Sequence, residues 1–202
     1  MAIRPITELL AERRWLRVAD EEWADPLDPS WAARFGGRWN PPHSFPTLYL
    51  NEDLATAQAQ ISKLLAGQPV EPEDLDPPYV LVVVALPRRQ RVADAATDDG
   101  LRGLGLPTSY PNDEAGNEIG RDACQPIGTA VHEAGLRGLH CRSAATADGS
   151  GRELAWFPAR STSRATQVGA AMPFDSWWAA VGSAWFACFA RPGNSDELVK
   201  AD

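Results

Sequence analysis

Residues Tyr79 to Leu86 read YVLVVVAL, eight positions without a charge. The run is too short to cross a membrane and too uniform to alternate between core and solvent. It is a strand buried on both faces, and the rest of the chain has to be read around it. Trp15-Leu16-Arg17-Val18 alternates like a strand, with Arg17 on the face opposite Leu16 and Val18. Thr47 to Leu50 is a short strand. Gly138 to Arg142 and Glu153 to Phe157 are two more, joined by the turn Asp148-Gly149-Ser150-Gly151.

Helices are expected over Ile6 to Arg14, Leu54 to Leu65, Ala123 to Glu133 and Asp175 to Phe189. Asn51, Glu52 or Asp53 caps the second; Glu52 and Asp53 read most simply as capping or dipole-favoured charges. Gly67 and Gly135 end the second and third. Asp25 to Ser30, Gln68 to Pro78 and Leu101 to Gly120 read as loops, Arg88 to Arg91 as a solvated basic edge, and Arg191 to Asp202 as a frayed tail. The chain has 202 residues, and 44% of them are apolar, enough for one domain with its own core. Loosely alternating strands and helices, with no repeat, predict a single α+β domain.

Several function classes fall away. The net charge is −8, with no basic face, which argues against direct nucleic-acid binding. The N-terminus MAIRPITELLAERRW has charges among its apolar positions and lacks a signal-peptide core; no run reaches membrane-span length, so a cytoplasmic protein is expected. Cys124, Cys141 and Cys188 form an odd, widely spaced set without a CxxC or Cys/His pattern. Reduced thiols in or near the core are expected, and no metal site. His43, His132 and His140 are scattered. Most of the eight tryptophans should be core, leaving some to line a site for a flat ligand. The Trp177-Trp178 and Trp185-Phe186 pairs belong to core or to an interface.

RFGGRWNPP, Arg34 to Pro42, is the segment richest in binding groups. Gly36 and Gly37 leave backbone amides accessible. Arg38 carries a planar fork suited to phosphate or carboxylate, Trp39 a stacking face, and Asn40 a donor and an acceptor. Pro41-Pro42 stiffens the exit. The segment is either a rigid ligand loop or a turn whose arginine makes a surface ion pair. It is neither a GxxxxGK[ST] nor a GxGxxG phosphate loop.

GGRWNPP, followed by FPTLYL and an alanine-rich helix, resembles the signature of the RES-domain family. Trp15 to Val18 is similar to the family's opening strand, ACQPIG at Ala123 to Gly128 to a later helix, and Gly138 to Ser143 with Glu153 to Phe157 to its closing strands. The resemblance implies a RES domain over residues 1–190 with a fold like the ADP-ribosyltransferases such as diphtheria toxin. It implies a bacterial toxin of a type II toxin–antitoxin module, paired with an Xre-type antitoxin in an assembly built on dimers, including a toxin homodimer. Family members degrade NAD by phosphorolysis or hydrolysis of the nicotinamide–ribose bond, so NAD is the implied substrate, phosphate a candidate co-substrate, and growth arrest the outcome.

Carried over residue by residue, the resemblance makes Arg17 and Arg38 the pyrophosphate clamp and Tyr49 the ring that stacks on nicotinamide. A half-buried strand tyrosine is the plainer reading of Tyr49. Gly37, Trp39, Asn40 and Ser143 complete the binding set, though Ser143 reads equally well as a strand-end turn residue. The family's glutamate on the following helix falls on Gln60, with Gln58 in a neighbouring register; both are neutral. Asp122 stands where relatives often have serine and offers a carboxylate instead. Two alternatives stay open: a catalytically weakened RES-fold protein that binds a nucleotide or a partner, and a protein ADP-ribosyltransferase.

Overall fold

The computed structural model describes residues 3–9, 12–76, 78–159 and 164–180. Its strands are β1 (Ile6–Leu9), β2 (Arg14–Asp20), β3 (Leu48–Asn51), β4 (Tyr79–Ala85), β5 (Gln90–Ala95), β6 (Gly138–Arg142), β7 (Arg152–Trp156) and β8 (Thr166–Gln167). Its α-helices are α1 (Ser30–Phe35), α2 (Leu54–Leu65), α3 (Asp98–Gly103), α4 (Arg121–Glu133) and α5 (Phe174–Trp178). The strands form one eight-stranded sheet in the order β1-β5-β6-β7-β3-β2-β4-β8, in which the β5–β6 pairing is parallel and the others antiparallel. This is the expected mixed α+β domain.

β4 shows why its sequence lacks alternation. Leu81 and Val83 pack with Leu16, Ala57, Ile61, Phe174 and Trp177 on one face. Val82 and Val84 pack with Trp15, Leu48, Leu50, Leu154 and Trp156 on the other. Each such side chain contributes about 1.5–3 kcal/mol by leaving water. α2 covers the first face because Ala57, Ile61 and Leu65 recur at helical spacing. Asp53 caps it, accepting from the Thr56 amide at 2.7 Å. That docking leaves Gln60 and Lys63, three residues apart, on one flank of α2.

β2 and β3 meet at a single register pair, Leu16 with Asn51, whereas β2 pairs with β4 along all seven residues. The two strands therefore diverge beyond that pair.

Several local expectations fail. Ile6–Leu9 is a strand, not the start of a helix, and Arg14 already belongs to β2. Antiparallel pairing of β1 with β5 supplies the backbone bonds that local helix propensity would have supplied. The basic stretch Arg88 to Arg91 runs into β5. Gln90 is buried and its Oε1 accepts from the Trp156 indole at 2.9 Å. Asp98–Gly103 is a helix capped by Thr97, although its glycines read as loop. Ser30–Phe35 is a helix with no side-chain cap and no buried residue, so neither signal marks it in the sequence. Glu52 is not a cap: it pairs with Arg13 and hydrogen-bonds the His140 ring, and these partners hold its carboxyl below the usual range against the pull of burial.

The last predicted helix is described only through α5, whose Trp177 is fully buried. Trp185, Phe186, Cys188 and the tail 191–202 lie outside the described residues. No described helix is long and apolar enough to cross a membrane.

Candidate functional site

The GGRWN loop is held from below by Tyr49. The Tyr49 hydroxyl donates to Asn40 Oδ1 at 2.8 Å and accepts from the Trp39 amide at 2.9 Å. Burial pushes this phenol well above its ordinary pKa, so it remains a donor. Gly37 lies against the same ring, and a Cβ there would run into the phenol. Gly37 is thus required by close approach. Its carbonyl accepts from Gln125 Nε2 at 3.0 Å, tying the loop to α4. Gly128 of α4 is needed in the same way, because a Cβ there would collide with the Trp39 carbonyl. ACQPIG and GGRWN are therefore two sides of one contact.

Two residues of the loop are placed differently from their sequence reading. Trp39 is fully buried, packed beside Tyr110 with ring centroids 5.9 Å apart, and its indole nitrogen has only the Cys141 sulfur near it. It offers no stacking face to a ligand. Asn40 is also fully buried, and its amide is spent inside the loop: Nδ2 donates to the Ala32 carbonyl at 2.6 Å. Both residues build the loop from within. Tyr49 likewise acts on the loop through its hydroxyl.

Arg38 points out of this scaffold. Its Nη1 donates to the Ile119 carbonyl at 2.7 Å and its Nη2 pairs with Glu118. Glu118 also pairs with Lys63 at 2.6 Å, and Lys63 donates to the Ala144 carbonyl at 2.6 Å. Burial works against the Arg38 charge, yet Tyr110, Cys124 and Glu118 together hold its pKa above the ordinary value. Arg17 differs. It is buried, its Nε donates to the Pro26 carbonyl and its Nη1 to the Tyr49 carbonyl at 3.2 Å. Desolvation lowers its pKa to about 10, only partly countered by Asp25 and Asp28. Register places Arg17 with Val82, on the sheet face away from Tyr49. Among the described residues the two arginines share no hydrogen-bond partner, and Arg17 crosses from β2 to the Tyr49 carbonyl of β3.

Gln60 accepts from Asn51 Nδ2 at 2.9 Å. Gln58 instead donates to the Trp178 carbonyl at 2.9 Å, which locks α5 onto α2. Asp122 is exposed in the first turn of α4, beside Pro41 and Gln125 in a shallow groove of about 390 Å³. A larger depression of about 540 Å³ at Arg4, Ile6 and Arg91 lies by β1, at the opposite side of the sheet from β2. Ser143 is fully buried, and its Oγ donates to Glu153 Oε2 at 3.0 Å.

Three residues enter that sequence reasoning missed. Lys63 and Glu118 complete the ion network on Arg38. Glu153, half-buried on β7, faces Ser143 and Cys141 and lies within the fields of Arg38 and Lys63. Burial raises its carboxyl above the usual range in spite of those partners. Its position at the head of a predicted strand carried no sign of this, since its neighbours come from β6, α2 and the loop. Cys124 and Cys141 are buried free thiols, both with pKa pushed up by desolvation and therefore unreactive. His132 stacks on Phe45 at 4.1 Å and His43 is exposed. Among the described residues, no group of three or more His, Cys, Asp and Glu is placed to hold a metal ion.

No curated protein matches the chain. Among solved structures, a chain of the M. tuberculosis MbcT–MbcA toxin–antitoxin complex aligns with a TM-score of 0.57 and 21% identity, over 77% of this chain and 84% of that one. The likeness is one of fold. The model of the RES domain family matches residues 14–177, which span β2 through α5 and every residue of the site described above. On that match the chain belongs to the RES domain family.

Proposed function

We propose that this protein is the toxin of a toxin–antitoxin pair and breaks the nicotinamide–ribose bond of NAD. The observation that carries the reading is the loop of Gly37 to Asn40, pinned by Tyr49 and presenting Arg38, which Glu118 links to Lys63. A rigid guanidinium fork with a second cation suits a diphosphate.

In this reading Arg38 binds one phosphate. Arg17 takes the other from β2: two of its five N–H donors are spent on carbonyls and the rest can turn to an anion. Gly37 gives the ligand close backbone approach. Tyr49 supports the nicotinamide end with its ring edge while its hydroxyl holds the loop. Gln60 hydrogen-bonds a ribose hydroxyl. Asp122, at the rim, meets the nucleophile, either water or inorganic phosphate. Loss of NAD then arrests growth.

The partner in this reading is an Xre-type antitoxin that plugs the cleft, within an assembly of dimers in the cytoplasm. The solved toxin–antitoxin complex with the similar fold supports an antitoxin partner. Gln60 favours one other reading, a RES-fold protein that binds NAD with little turnover, because an amide cannot offset a developing positive charge. Nicotinamide release from NAD by the purified chain, with and without phosphate, tests both. Release that rises with phosphate names a phosphorylase and release without it a hydrolase. Binding without release selects the second reading, and neither binding nor release sinks both.

A further inference from the structure

We propose that Glu153 is the carboxylate that meets the positive charge formed on the nicotinamide ribose, filling from β7 the role that Gln60 cannot fill from α2. The proposal rests on the NAD-cleaving reading above.

Three observations carry it. The first is register. Asn51 of β3 pairs with Glu153, and Glu153 pairs with Cys141 of β6, so the three side chains leave the same face in a row. Asn51 in turn donates to Gln60 at 2.9 Å. Glu153 is therefore one strand from the residue that holds Gln60. The second is orientation. Ser143 Oγ fixes Oε2 at 3.0 Å, while among the described residues Oε1 meets the Cys141 thiol at 3.9 Å, a weak donor. One carboxylate oxygen is anchored, and the other keeps acceptor capacity that a ribose hydroxyl can use. The third is placement. Glu153 feels Arg38 and Lys63, the cations assigned to the diphosphate, and it acts on Tyr49.

The competing acids are less suited. Glu118 is held by Arg38 and Lys63, Glu52 by Arg13 and His140, and Asp122 is exposed at the start of α4.

The chemistry balances without a redox partner. The C1′–N1 bond breaks and its electron pair stays on the nicotinamide nitrogen, which leaves neutral. C1′ and the ring oxygen share the positive charge. An oxygen of water or phosphate then bonds to C1′, and water gives its proton to solvent. Glu153 opposes the transient cation and is regenerated unchanged.

The test compares wild type, Glu153→Gln, Gln60→Glu and the double variant, each as the full chain. NAD consumption gives kcat and KM, and calorimetry gives NAD affinity. Glu153→Gln should lower kcat by about 10²–10³-fold with KM within about threefold, as for loss of one preorganised charge. Adding Gln60→Glu to it should restore at least about tenfold. Wild-type kcat in Glu153→Gln would overturn the proposal and leave the NAD reading standing. If Glu153→Gln shows no cooperative melt, Gln60→Glu alone decides: a gain of about two orders of magnitude means that the natural site lacked a working carboxylate. A wild-type chain that neither binds nor consumes NAD overturns the NAD reading, and this proposal with it.

Discussion

Arg17 is buried and Arg38 half-buried, and the two are electrostatic opposites. Arg38 already holds an anion, Glu118, and its charge is favoured. Arg17 donates to two carbonyl oxygens and lies over the Trp23 ring, and burial lowers its pKa to about 10. A ligand phosphate relieves the desolvation of Arg17 without displacing an acid. At Arg38 it has to replace Glu118, which bridges Arg38 and Lys63 much as a phosphate would. The same side chain, used twice, is thus an open cation in one place and an internally neutralised one in the other. Beside Glu118, Tyr110 and Cys124 favour the Arg38 charge, whereas Arg17 is the more deeply buried of the two.

The sharpest way to break this comparison is Arg38→Ala. Turnover of NAD should fall by about 10²–10³-fold if Arg38 grips charge in the transition state. An equal loss from an exposed arginine of another element, such as Arg102 of α3, would dissolve the distinction. Arg17→Ala should act on binding and stability together. NAD affinity should drop by about 10- to 100-fold, the worth of a charge-assisted hydrogen bond, in calorimetry. The melting curve should also shift, because the Pro26 and Tyr49 carbonyls lose their donor at about 1–3 kcal/mol for a buried polar group. A variant that melts normally and binds NAD normally would remove Arg17 from the site.

Tyr49→Phe probes the scaffold both arginines share. It strips a partner from the Trp39 amide and from Asn40, so a stability loss of about 1–3 kcal/mol is expected in urea unfolding, with NAD binding changed little. Unchanged stability with weakened NAD binding would instead make the ring and its hydroxyl ligand contacts first. Glu118→Gln has the smallest expected effect and the opposite sign. Freeing Arg38 and Lys63 should tighten pyrophosphate binding by up to about fivefold, the scale of an exposed ion pair. Weaker binding would show that Glu118 holds the two cations in place.

Much of this was legible from residue pattern. β4 and α2 declared themselves because their hydrophobic periodicity is a local property, and α2 matches its predicted bounds. β6 did so as well. The helix expected at Ile6 failed because strand β1 is stabilised by β5, more than eighty residues away, and no local signal reports a distant partner. The loop GGRWNPP was legible as a binding segment, but the division of labour within it was not. Trp39 and Asn40 read as ligand groups in a polar, irregular stretch. The structure buries both completely, since the loop needs a hydrophobic anchor and an internal amide to stay rigid.

Sequence alone determined the residue types: a forked cation at 38, a glutamine instead of an acid at 60, a double-faced strand at the centre, and the spacing that marks the RES family. Tertiary structure decided which charges meet. Glu118, Lys63 and Glu153 come from a loop, a helix and a strand far apart in the chain, and the charges of Lys63 and Glu153 are felt within the surroundings of Arg38 only because α2, α4 and the sheet fold against one loop. Electrostatic pairing depends on distance and burial in space, and neither is encoded at any one position.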